Sequence, residues 1–130
     1  MFGTLPLLAV AIIVYNVMAF LTGPAFDTNL LSVTLISGAV WDINVSDALL
    51  TFGLVLLFLE LISATRTGTS SVVNHGLSMV VFIACLVEFI VLPQFGTSTF
   101  FFLTLFTLLD VVGGYTISFM TARRDFAVGA

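Results

Sequence analysis

Charge is nearly absent from this chain. Among its 130 residues there is no lysine, three are arginine and seven are acidic. The three arginines form no basic face, which argues against nucleic acid as a partner. The single cysteine, Cys85, cannot close an internal disulfide. A bis-histidine haem needs two histidines and the chain has one, His75. Cys-His metal spacings, glycine-rich phosphate loops and a nucleophile elbow are missing as well. Disulfide–quinone chemistry would need more cysteines. These gaps leave no enzyme class, cofactor or metal with residues to support it.

What the chain has in abundance is apolar surface. Hydrophobic residues make up 60% of it and charged residues 8%, with a mean hydropathy of +1.26. Such a composition makes the bilayer the solvent for most of the surface. Four apolar segments are long enough to cross about 30 Å of hydrocarbon. They run over residues 5–26, 47–65, 72–92 and 97–122. The first closes at Gly23-Pro24, the second opens near Asp47 with cap chemistry, and the third stops at Pro93. The first has no positive leader and an apolar run longer than a usual signal peptide, so it is expected to be a retained helix. The links after the second and third segments are short, which makes their helices antiparallel neighbours. The expectation is an all-α membrane protein of one domain, a four-helix transmembrane up-down bundle over residues 1–130.

The loop 27–46 is the one long connection. Leu31, Val33 and Leu35 alternate with Ser32, Thr34 and Ile36. After Ser37-Gly38, Trp41, Ile43 and Val45 alternate with Asp42 and Asn44. Two period-two runs around a Ser-Gly turn predict a β-hairpin. A lone hairpin is marginal in water, so this one is expected to rest on the bundle or on a partner.

Arginine placement sets orientation. Arg66 lies in the second link, and Arg123 and Arg124 follow the fourth segment; Asp27, Asp42 and Asp47 lie toward the other side. The positive-inside rule then puts both termini in the cytoplasm. Arg66, Arg123, Arg124 and Trp41 are the expected interface anchors. Phe95 and Phe100 to Phe102 are expected to form an outer aromatic belt.

Polar residues inside the spans are the candidate functional groups. A carboxylate at a membrane helix centre costs about 2.5–3.5 kcal/mol on insertion scales. At 1.5 Å per residue, Glu60 falls about 9 Å from the cytoplasmic edge, His75 about 6–8 Å, Asn16 about 18 Å and Asp110 about 20 Å. Glu88 falls nearest the outer surface. Two level pairs are predicted: Glu60 with His75, and Asn16 with Asp110.

Each helix also carries a narrow small-or-polar seam: Ala9, Ile12, Asn16, Ala19 and Gly23 on the first; Ser46, Gly53, Glu60 and Thr67 on the second; His75, Ser78, Phe82, Cys85 and Glu88 on the third; Thr107, Asp110, Gly114, Ser118 and Thr121 on the fourth. Hydrocarbon cannot satisfy polar groups, so these seams are expected to face protein. Gly114 and Ser118 have the spacing of a close helix contact.

Two roles suit Glu60, His75, Asp110, Glu88 and Asn16. They tie helices together, or they form a proton or cation site. Cys85 reads as a packing residue. The block "LLFLELISATRTGT…NHGLSMVVFIACLVEF" and the ending "TARRDF" resemble small four-helix inner-membrane proteins of alphaproteobacteria. The resemblance implies a bacterial cytoplasmic membrane and four helices. It implies no activity, so it transfers no functional residue. The signatures of small multidrug exporters and fluoride channels are missing. The first expectation is a non-catalytic membrane subunit, assembling with itself or with a larger membrane complex. The second is a small oligomeric proton-coupled transporter or channel.

Overall fold

The computed structural model describes residues 5–21, 25–65 and 69–129. The described residues form four helices and one hairpin: α1 (Leu8–Leu21), β1 (Asn29–Thr34), β2 (Val40–Asn44), α2 (Val45–Ser63), α3 (Thr69–Val91) and α4 (Ser98–Gly129). Short 3-10 turns lie at Ala25–Asp27 and Pro93–Phe95. Among the described residues three helices are long and apolar enough to cross a membrane: Val45–Ser63, Val72–Val91 and Ser98–Arg124.

The first helix departs from expectation. It has 14 residues rather than the predicted stretch 5–26, which at 1.5 Å per residue is about 21 Å. Pro6, which has no N–H, precedes its first turn. That turn closes through the Pro6 and Leu7 carbonyls, which accept from Ala9 and Val10 at 3.2 and 3.0 Å. At the other end, residues 25–27 have already left the α-helical path. Gly23 lies outside the described residues, as do Arg66 and Thr67.

The hairpin forms where the alternation placed it. The strands are antiparallel, with Val33 opposite Trp41 and Ser32 opposite Asp42, and a bulge lies between Asn29 and Leu31. Leu35 and Ala39 close the turn at 2.8 Å. Gly38 sits there at φ +90°, a conformation glycine adopts without steric cost. The Ser32 hydroxyl donates to Asp42 at 2.6 Å on one face.

β2 runs straight into α2. The cap is Asn44, two residues earlier than the sequence spacing suggests. Its side chain accepts from the Asp47 amide, and the Asp47 carboxylate accepts from the Asn44 amide, a reciprocal capping box.

Helix ends elsewhere follow equally local rules. Leu92 is extended because Pro93 follows it, and this ends α3. The Thr97 hydroxyl accepts from the Phe100 amide at 3.2 Å and opens α4. α4 then runs to Gly129, well past the expected end at 122, over 32 residues.

The helices alternate in direction, but chain order is not packing order. α2 and α3, although joined by a short link, make almost no contact, and α4 lies between them. Along α2 and α4 the partners rise together. Ser46 bonds Thr99, Gly53 meets Leu103 and Phe106, Leu61 meets Gly113, and Ala64 meets Ser118. The two helices are therefore parallel. α3 is antiparallel to α4, with His75 at Ser118 and Phe89 at Phe101. α1 lies chiefly on α2 and α4, with Leu8, Ala11, Ile12, Tyr15 and Ala19 facing the core.

Two glycines make the parallel pair possible. A Cβ at Gly53 would lie 3.1 Å from Leu103 Cδ2, and one at Gly113 would lie 2.9 Å from Leu61 Cδ2. Gly76 has open space around it. Gly53→Leu is expected to cost about 1–3 kcal/mol by overpacking the α2–α4 contact. Gly76→Ala is expected to be neutral or to stabilise by up to about 1 kcal/mol. Thermal unfolding of both variants in the same detergent checks the pair; equal melting temperatures would contradict this account of α2 against α4.

Candidate functional site

The buried polar groups gather toward the end of the bundle where α1 begins, α2 ends and α3 starts. Glu60 is 3% exposed and Asp110 is 4% exposed. His75, Ser78 and Thr107 are also buried.

Glu60 is not paired with His75. Its carboxyl reaches the start of α1, where it accepts from the Leu7 backbone amide and lies beside that of Leu8. The first amides of a helix have no partner within it and carry a partial positive charge. Glu60 thus caps α1 from a neighbouring helix. Its spacing from α2's own end brings the α1 N-terminus about a turn inside the bundle. This explains why α1 is short and why depth counts along it mislead.

Asp110 is not paired with Asn16 either. It lies beside Ser78 of α3 and interacts electrostatically with Glu60. The Ser78 hydroxyl donates to the Asn74 carbonyl one turn back on α3 at 3.0 Å. Two physical facts move Asp110 from its predicted partner. α4 continues through Arg124 to Gly129, so the arginines do not mark its end. α1 begins level with Glu60, so Asn16 lies about 12 Å beyond that level. There Asn16 donates to Ile12 O at 2.9 Å and to Glu88 Oε1 at 3.4 Å.

His75 binds downward rather than across. Its Nε2 lies 2.6 Å from Ser118 Oγ. The Ser118 hydroxyl in turn donates to the Ala64 carbonyl at 2.7 Å. With its proton directed at Ala64, Ser118 accepts from His75, and the geometry assigns the proton to Nε2. The imidazole also lies against Tyr115, with ring centroids 4.9 Å apart. It rests on Gly114, where a Cβ would come within 3.1 Å of the ring. The small residue at Gly114 thus admits a histidine from α3 rather than a helix backbone.

A second centre lies at the opposite end, and sequence reasoning missed it. Tyr15 is 0% exposed. Its ring stacks on Phe26 at 4.4 Å and lies 4.8 Å from Phe100 and 5.3 Å from Phe95. Its hydroxyl bonds Thr97 Oγ1 at 2.8 Å and donates to the Gln94 carbonyl at 3.3 Å. The predicted aromatic belt is therefore split. Phe95 and Phe100 are core residues, whereas Phe101 and Phe102 face outward. The signal was present in the sequence: Tyr15 is three and four residues from Ile12 and Ala11, on one helical face. A seam defined by small and polar residues passed over it.

The remaining candidates are placed simply. Cys85 is fully buried and Ala19 lies in the core; Trp41 is half exposed on the hairpin. Arg123 and Arg124 are exposed, with the Arg123 guanidinium over the Phe119 ring at 5.8 Å. Among the described residues no three His, Cys, Asp or Glu side chains converge in a metal-binding group. The chain matches no protein-family model, no curated protein and no solved structure. What the buried groups do must be argued from their geometry.

Glu60→Ala leaves the Leu7 amide without its acceptor, and is expected to destabilise the bundle by about 1–3 kcal/mol. Glu60→Gln keeps a carbonyl acceptor and is expected to lose less than half of that. Thermal unfolding in detergent, with alanine and glutamine variants side by side, reads the difference. An equal loss in both would mean that the negative charge, rather than the hydrogen bonding, holds α1.

Proposed function

We propose that this chain is a non-catalytic integral membrane subunit. It assembles with itself or with a larger membrane complex, in a bacterial inner membrane with both termini cytoplasmic. The observation that carries this reading is how the buried polar groups are used. Among the described residues, every buried side-chain nitrogen and oxygen has a hydrogen-bond partner. Glu60 holds α1, and His75 links α3 to α4 and the end of α2. Groups committed in this way define a bundle geometry. The hairpin offers the complementary surface. Leu31, Leu35, Ile36 and Trp41 are all exposed beside the last turn of the chain before α2, and a partner outside the hydrocarbon would cover them. The alternating helix directions put Leu5 and Arg123 at the same end, which supports the cytoplasmic assignment.

The second reading, a small oligomeric proton-coupled transporter, is favoured by one observation. Glu60 and Asp110 are buried near each other, with His75 a short way along α3. Against it, Glu88 lies at the other end, bonded to Asn16, so the carboxylates do not form an evenly spaced path.

Purification of the tagged chain from its own membrane in mild detergent, with mass determination of the complex, tests the first reading. A second protein present in fixed ratio, or a defined homo-oligomer without ion flux, is the expected result. A proton flux in liposomes that both Glu60→Gln and Asp110→Asn abolish, with assembly intact, would replace the subunit reading with the transporter.

A further inference from the structure

We propose that the end of α4 holds the phosphodiester headgroup of an anionic phospholipid, with Arg123 and Arg124 as its cationic donors. Helix length supplies the position. A helix starting at Ser98 crosses about 30 Å of hydrocarbon in about 20 residues. The residues from Phe119 onward therefore emerge at the headgroup layer, while the helix itself continues to Gly129.

Chemistry supplies the ligand. Met120, Thr121, Arg123 and Arg124 border an open depression on the surface of α4. No ion pair engages either guanidinium among the described residues. Arg123 is folded back over Phe119 rather than extended into water. A guanidinium over an aromatic face keeps its planar N–H donors, which suit the oxygens of a phosphate.

The surface above the arginines selects a lipid over a soluble phosphate. Leu109, Val112, Thr116, Phe119 and Arg123 step by three, four, three and four, so they form one stripe on α4. Leu109, Val112 and Phe119 are more than half exposed. The Thr116 hydroxyl is turned back to the Val112 carbonyl at 2.7 Å, which leaves its methyl on the stripe. An acyl chain lying along this stripe brings its own headgroup to Arg123. A free anion would gain nothing from the stripe.

The test uses the full-length protein in nanodiscs of equal phosphatidylglycerol and phosphatidylcholine, with native mass spectrometry of the lipid retained on release. The wild type is expected to retain phosphatidylglycerol in preference. Arg123→Gln/Arg124→Gln is expected to weaken that preference about 30-fold, with an unchanged melting temperature because both side chains are exposed. Equal retention of the two lipids by the wild type would overturn the proposal. So would a glutamine pair that keeps the preference, or complete displacement of the lipid by inorganic phosphate. If the glutamine pair does not insert, a salt titration of the wild type decides. The preference must fall as ionic strength rises, and a salt-independent preference overturns the assignment.

Discussion

The contact between Glu60 and the first amides of α1 organises this molecule. In hydrocarbon a helix start has no water to satisfy its unpaired N–H groups, and each one left bare costs several kcal/mol. The chain places a carboxyl on α2 at that point. The consequence is geometric. α1 starts inside the bundle, at the level of Glu60, and needs only 14 helical residues to reach the far end. There Tyr15 and the aromatic cluster lock it to the turn between α3 and α4. One residue on, Asn16 meets Glu88. Both ends of α1 are thus held by side chains from other helices.

α4 is the other organising element. It carries partners on three sides and separates α2 from α3, which the short link would have made neighbours. Lipid tails are as apolar as leucine, so helices in a membrane associate through close packing and hydrogen bonds rather than through burial from water. The close approaches lie at Gly53, Gly113 and Gly114. The hydrogen bonds are those of Ser46 with Thr99, and of Ser118 with both Ala64 and His75. They bind α4 to α2 on one side and to α3 on the other. Parallel α2 and α4 need no connection of their own, because α3 returns the chain between them.

The polar and apolar inventories point outward together. Among the described residues the buried polar atoms are satisfied within the chain, so the interior offers a partner little. The hairpin and the end of α4 offer more. The first presents exposed leucine, isoleucine and tryptophan with acidic neighbours. The second presents two arginines at the end of an apolar stripe. These surfaces differ in chemistry and lie at opposite ends of the bundle.

The sequence alone determined much of this. Apolar runs of membrane length, proline stops and a period-two alternation around Ser37-Gly38 are local signals, and they suffice for helices and a hairpin. The inward turn of Glu60, His75 and Asp110 also follows locally, because lipid excludes such groups. Their partners do not. Pairing by depth assumed that every helix begins at a membrane edge. α1 begins a turn inside because Glu60 caps it, and α4 runs on past Arg124. Asn16 therefore met Glu88, and Asp110 met Ser78. Phe95 and Phe100 read as belt residues until Tyr15 gave them a core to fill. Which helices touch was likewise settled only in three dimensions. Chain proximity favoured α2 beside α3, and glycines on α2 and α4 allowed a closer approach between non-consecutive helices.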